Sequence, residues 1–128
     1  MKTILTVLGA VLAFLWACQQ QPGGFETLSV DDFRSLIDDP SVQRLDVRTT
    51  AEYTEGHIPG SLNINVLDSQ FAPMADSLLQ KDRPVAVYCR SGKRSKKAAE
   101  VLTRSGYRVY ELATGFQGWQ AAGGDVEK

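Results

Sequence analysis

The sequence has 128 residues, of which 43% are hydrophobic and 23% charged, and its formal net charge is -1. The apolar share excludes a disordered chain, the charge excludes overall electrostatic binding to nucleic acid, and the length supports one domain burying roughly two thirds of its unfolded surface. With two cysteines and one histidine, neither a disulfide framework nor a Cys/His zinc cluster can be assembled.

At the N-terminus, Met1-Lys2 precedes an apolar run of 13 residues from Ile4 to Trp16, followed by Ala17-Cys18 and the polar stretch Gln19 to Gly24. One positive charge, a run shorter than the ~20 residues that span a bilayer, and a small residue before the cut together read as an export signal over residues 1–17. Leu15-Trp16-Ala17-Cys18 resembles a bacterial lipobox. That resemblance implies acyl chains on Cys18, and two or more chains hold a protein durably at a membrane. Residues 18–24 then form the lipidated cysteine and a flexible tether, and residues 25–128 the folded domain. An ordinary secretory signal or an uncleaved anchor is the alternative. No aspartate follows Cys18, so the inner-membrane retention signal of some Gram-negative lipoproteins is absent and either membrane stays open.

Beyond the tether, strand and helix patterns alternate, which predicts a parallel sheet. Ser29 before Val30-Asp31-Asp32 reads as a helix cap with acids in the first turn, and the helix carries Phe33, Leu36 and Ile37 until Asp39-Pro40 stops it. Val42 to Val47 follows as a strand. Thr49 or Thr50 caps a short helical turn closed by Gly56, and Leu62 to Val66 alternates as a half-buried strand. Asp68 to Leu79 is an amphipathic helix interrupted or restarted near Pro73. Val85 to Tyr88 is the strongest strand, and it ends at Cys89. After the loop Arg90-Ser91-Gly92-Lys93-Arg94, Ser95 to Ser105 reads as a helix burying Ala98, Ala99, Val101 and Leu102. Arg108 to Leu112 is the last strand, before a turn at Gly115 to Trp119.

The chemistry gathers between the Tyr88 strand and the helix near Ser95. Ligands of open parallel sheets bind at the carboxyl ends of strands, where a following helix directs free N–H groups at them. A thiol facing such a terminus and nearby cations falls from a pKa near 8.5 to roughly 3.5–7.5 and becomes a nucleophile. Seven basic residues stand between Arg90 and Arg108 (Arg90, Lys93, Arg94, Lys96, Lys97, Arg104, Arg108) against one acid, Glu100. On these residues alone, an inert buried cysteine beside a solvated basic helix face stays open. A nucleotide-binding P-loop is excluded, because Gly92-Lys93 lacks the upstream glycine and the following Ser/Thr.

From about Glu26 onward the chain resembles the single-domain rhodanese (thiosulfate sulfurtransferase) family. Three motifs carry the resemblance: Asp46-Val47-Arg48 with Glu52-Tyr53 and Gly56-His57-Ile58-Pro59-Gly60-Ser61; Cys89-Arg90-Ser91-Gly92-Lys93-Arg94-Ser95; and Leu112-Ala113-Thr114-Gly115-Phe116-Gln117-Gly118-Trp119. Thr114 stands where the family usually has glycine. The resemblance implies a three-layer α/β domain, with a central, mostly parallel sheet of about five strands and helices on both faces. It also implies that Cys89 takes sulfane sulfur from a small anionic donor such as thiosulfate, and passes it from a persulfide to cyanide or a thiol. Arg90, Ser91, Gly92, Lys93, Arg94 and Ser95 would cradle the substrate and persulfide, with Ser95 as the helix cap and Arg90, Lys93 and Arg94 drawing in the anion. Asp46 and Arg48 would brace the rim, Glu52 would cap or brace through Arg48, and His57 would be structural. Phe116 and Trp119 would be core or pocket wall.

No metal or organic cofactor is expected, nor nucleic acid, and the protein is expected as a monomer, lipid-anchored in a bacterial cell envelope and facing the periplasm or exterior. Cysteine phosphatases and arsenate-handling enzymes need one residue more between cysteine and arginine than the four between Cys89 and Arg94. The shorter loop suits a single sulfur. A rhodanese module that carries or senses sulfane sulfur, or binds a partner, without turnover is the remaining alternative.

Overall fold

The computed structural model describes residues 24–128; the export signal, Cys18 and the tether up to Gly23 lie outside the described residues. The strand Val85–Tyr88 organises the rest. Its alternation directs Val85 and Val87, with Cys89 beyond its end, into one apolar cluster and Ala86 and Tyr88 into another. A strand with both faces apolar needs cover on each, as parallel sheets with crossover helices provide. The sheet contains β1 (Glu26–Leu28), β2 (Gln43–Asp46), β3 (Leu62–Asn63), β4 (Val85–Tyr88) and β5 (Val109–Leu112) in the order β1-β5-β4-β2-β3, all pairs parallel. On one face, Phe33 and Ile37 of α1 (Val30–Ile37) pack with Phe116 and Trp119 of α5 (Gly115–Ala121) against Ala86, Tyr88 and Leu112. On the other, Phe71 and Ala75 of α3 (Phe71–Leu78) join Ala98, Ala99 and Leu102 of α4 (Lys93–Arg104) over Leu45, Val85, Val87 and Val109. The expected three-layer α/β architecture of five strands is therefore present. The remaining helix, α2 (Thr50–Glu55), lies between β2 and β3 in the chain.

Side-chain caps fix two of the five described helix starts. The Ser29 hydroxyl accepts the Asp32 N–H at 3.2 Å, and Thr49 forms a reciprocal capping box with Glu52. Other boundaries differ from expectation. Strand β1 was not anticipated, because its three residues carry little apolar pattern and it is fixed by pairing with β5. The strand expected over Leu62 to Val66 is assigned only at Leu62–Asn63, although the N–H groups of Ile64 and Val66 still reach the carbonyls of Asp46 and Val47. α3 begins at Phe71, so Pro73 falls within its first turn, where a missing N–H costs little. α4 starts at Lys93 behind Gly92, two residues before Ser95, and the expected turn at Gly115 to Trp119 is the first part of α5. Thr114 takes an ordinary backbone conformation (φ -97°) and the left-handed position falls on Gly115 (φ 62°).

One buried hydroxyl joins the core to the segment carrying the histidine. Tyr88 Oη accepts the Ile58 N–H at 3.0 Å and donates to Ser61 Oγ at 3.1 Å, and Tyr88 is fully buried. Removing it strands a buried N–H with no solvent to replace the lost acceptor. Tyr88→Phe is expected to lower stability by about 1–3 kcal/mol, read in urea unfolding as a lower midpoint with an unchanged slope.

Candidate active site

Cys89 lies at the carboxyl end of the central strand, its side chain 1% exposed. The chain then turns sharply: Gly92 adopts φ 103°, and a side chain there would collide with the carbonyl oxygen of Ala113. This turn brings the Gly92 N–H to 3.1 Å from Cys89 Sγ, with Ser95 Oγ at 3.4 Å. Burial pushes the thiol up, but the Ser95 hydroxyl and the N–H groups of Ser95, Gly92 and Ser91 outweigh it and hold Cys89 below the ordinary thiol range. The sulfur therefore sits in a nest of donors at the start of a twelve-residue helix, an arrangement that favours negative charge.

The loop is fastened from beneath by α5. The carbonyls of Cys89 and Arg90 accept the N–H groups of Phe116 and Gln117 at 2.8 and 3.0 Å. Gly115 permits the approach, since a Cβ there would lie 2.5 Å from the Arg90 oxygen and 2.7 Å from the Cys89 oxygen. Only glycine accepts both this conformation and this contact.

The sequence suggested a positive site with one acid nearby; the fold brings in two further carboxylates. Arg94 makes a bidentate pair with Glu52 at 2.7 and 2.9 Å. Its guanidinium is thereby partly engaged, and Glu52 braces Arg94 where Arg48 had been expected. Lys96 Nζ lies 3.2 Å from Glu111 Oε1, and Ser95 Oγ donates to Glu111 Oε2 at 2.6 Å. Ser95 is buried inside the first turn and does not cap the helix, a role that falls to Gly92 because the turn closes earlier. Arg90, Ser91 and Lys93 are exposed at the mouth.

Asp46 and Arg48 are both buried and pair closely, with Arg48 Nη2 at 2.7 Å from Asp46 Oδ2 and also 2.7 Å from the Gly56 carbonyl. The Arg48 guanidinium lies 4.4 Å from the Phe116 ring centroid. Together Arg48, Glu52, Arg90, Phe116 and Gln117 help line a cleft of about 350 Å³ beside the loop. His57 points elsewhere: its ring stacks on Tyr53 at 3.7 Å, Nδ1 donates to the Tyr53 carbonyl, and Nε2 lies 3.3 Å from Glu127. A larger groove of about 490 Å³, lined in part by Gln43, Arg44, Leu62 and Arg83, lies at the amino ends of β2 and β3. Its two arginines bond backbone carbonyls, and it holds no nucleophile. Among the described residues there is no group of three metal-ligating side chains.

The residue that sequence reasoning passed over is Glu111. A carboxylate inside the fully buried strand Val109-Tyr110-Glu111-Leu112 was the available signal, since such groups are almost never buried unpaired.

The Glu52 pair gives a pH signature. Hydrogen bonds from Arg94, aided by those from Thr49, hold the Glu52 carboxyl at about 2 against an ordinary 4.5. The folded state thus prefers the carboxylate, and this stabilisation is complete above about pH 4.5 and lost as pH falls toward 2. Glu52→Gln should cost on the order of 1 kcal/mol at neutral pH for this partly exposed pair. In unfolding curves, the difference from wild type should shrink as pH falls through that window.

Residues 29–122 match the family described as Rhodanese-like domain. A sulfurtransferase of Allochromatium vinosum is 40% identical over 89 residues, covering 69% of this chain and 80% of that protein. The thiosulfate sulfurtransferase GlpE of Shewanella oneidensis is 36% identical over 100 residues, covering 77% of this chain and 95% of that protein. The crystal structure of a rhodanese-related protein from Thermoplasma volcanium superposes with a TM-score of 0.71 at 29% identity, covering 80% of this chain and 98% of that one. With the family matched over most of its length and full-domain relatives that are sulfurtransferases, the chain belongs to the rhodanese-like family.

Proposed function

We propose that this protein is a sulfurtransferase that carries sulfane sulfur as a persulfide on Cys89. The observation that carries this reading is the buried thiol held below its ordinary range by the Ser95 hydroxyl and loop N–H groups. The Cys89 thiolate attacks the outer sulfur of thiosulfate; the new S–S bond forms as the donor's S–S bond breaks, and sulfite leaves with the electron pair. Cyanide or a thiolate then attacks the outer persulfide sulfur, and Cys89 departs as the thiolate, which closes a ping-pong cycle. The loop N–H groups and the α4 terminus stabilise the charge that moves onto the outer sulfur. Arg90 and Lys93, exposed at the mouth, attract the dianionic donor, while Arg94, tied to Glu52, shapes the loop. Asp46 and Arg48 brace the rim of the cleft.

Thiocyanate formation from thiosulfate and cyanide is expected in wild type and abolished in Cys89→Ala. Intact mass after thiosulfate alone should gain one sulfur atom in wild type only. A wild type that is inactive and gains no sulfur refutes the reading; one that gains sulfur but does not turn over identifies a sulfur carrier instead.

We further propose that residues 1–17 direct export and that Cys18 carries the lipid anchor of a monomeric envelope protein. The lipobox-like Leu15-Trp16-Ala17-Cys18 supports this. Cys18→Ala should abolish incorporation of labelled fatty acid and shift the protein out of the membrane fraction.

A further inference from the structure

All five strands are parallel, so the sheet has one amino end and one carboxyl end. The Cys89 loop leaves β4 at the carboxyl end. The chain enters β1 at the amino end, where Phe25 precedes Glu26. Seven residue steps separate Phe25 from Cys18, a reach of at most about 25 Å. A lipid on Cys18 therefore holds the domain by the end opposite the Cys89 loop.

The groove of about 490 Å³ lies at this same amino end. β1 and β2 stand three places apart in the sheet order, about 14 Å, which that reach spans. The groove wall is apolar at Val42, Leu62, Leu78 and Leu79, and it carries Arg44 and Arg83 against one carboxylate, Asp39. The Asp39 carboxylate accepts the N–H and the hydroxyl of Ser41 at 2.9 and 2.8 Å. Arg44 donates to the carbonyls of Ile37 and Pro59, and Arg83 to those of Pro40 and Ser41. Carbonyls fix a guanidinium without neutralising it, and among the described residues neither arginine is in a salt bridge. With five N–H donors, each guanidinium also keeps hydrogen-bonding capacity. α3 returns from the carboxyl end of β3 to the amino end of β4, so its last turn meets the groove. There Leu78 is 55% exposed and Met74, one turn earlier, 36%. Both also line a shallow hollow with Pro73 and Ser77.

We propose that this face, from the Arg44–Arg83 groove to Met74 and Leu78, is seated on a phospholipid bilayer, with the Cys89 mouth open to the aqueous side. Met74 and Leu78 enter the interfacial layer, and the two guanidinium groups meet lipid phosphates, whose oxygens suit their forked donors. Arginine stems laid along apolar surface with their charge at its edge fit such a boundary. The acyl anchor confines the face within reach of the bilayer, so a surface too weak to bind alone stays engaged. Sulfur donors and acceptors then reach Cys89 from solution and not from the lipid layer. This inference rests on the lipid anchor proposed above and is independent of the sulfurtransferase reading.

The test uses the full chain, purified from membranes and reconstituted in phosphatidylethanolamine–phosphatidylglycerol vesicles. In a Cys89→Ser background, with Cys18 blocked by its lipid, Ser77→Cys and Gln117→Cys each provide one site for an environment-sensitive fluorophore. Emission from the Ser77→Cys label is expected to shift to the blue on reconstitution and to be largely lost when the vesicles contain doxyl-labelled lipid. The Gln117→Cys label should keep its emission. Adding Leu78→Asp should restore emission at the first site while the protein still floats with the vesicles. Equal quenching at both sites, quenching at Gln117→Cys alone, or a Ser77→Cys label untouched by the lipid quencher overturns the proposal; the last includes a second copy covering the patch, which shifts emission without quenching it. If Leu78→Asp does not fold, the comparison of the two labels decides alone. Protein without acyl chains by intact mass refutes the anchor and this orientation with it, whereas acylated protein whose Ser77→Cys label escapes the quencher refutes the orientation only.

Discussion

The first turn of α5 holds the backbone of Cys89 and Arg90, and most of the site depends on that hold. The N–H groups of Phe116 and Gln117 use both carbonyls, while the segment before α5 approaches so closely that no side chain fits at Gly92 or Gly115. With its carbonyls turned down into these bonds, the loop has its N–H groups left for the sulfur. The same two glycines that permit the contact adopt the left-handed conformation that closes the turn. Loop geometry and helix packing are therefore one constraint: α5 buries Phe116 and Trp119 against the sheet, and in doing so sets the position of the Cys89 loop.

Around that backbone frame the electrostatics are more balanced than a positive loop would suggest. Arg94 is answered by Glu52, Lys96 by Glu111 and Arg48 by Asp46. These pairs differ in burial, and so in consequence. Arg94 and Glu52 retain 23% and 26% exposure and position the loop at modest energy. Asp46 with Arg48, and the Glu111 carboxylate, are buried, so losing the cation that faces either carboxylate would leave an uncompensated charge. Arg90 and Lys93 are left exposed at the mouth. Thus the inner charges shape the site and the outer ones face solvent.

The two faces of the sheet divide the work. The face of α3 and α4 carries Cys89 and, beside it, the Ser95–Glu111 chain, whereas the face of α1 and α5 carries Tyr88, whose hydroxyl secures the Ile58 to Ser61 turn. His57 belongs to this second region, stacked on Tyr53 and bridged to Glu127 near the C-terminus. Its ring completes a structural clasp and is turned away from the chemistry.

Features made by residues close in the chain were legible in the sequence. The caps at Ser29 and Thr49 close over three residues, the Cys89 loop is contiguous, and the apolar β4 strand announces a sheet covered on both faces. Strand β1 was not legible, because three weakly patterned residues become a strand only on pairing with β5. The same holds for Ser95: a good capping residue lost that place when Gly92 closed the turn three residues earlier. Sequence by itself determined the α/β class, the family resemblance and the loop that holds Cys89, since each is written in local pattern and spacing. Tertiary structure alone decided which charges meet. Glu52 reaches Arg94 across 42 residues and Glu111 reaches Ser95 across 16, because strand order and helix packing, not spacing along the chain, bring buried charges within hydrogen-bonding range.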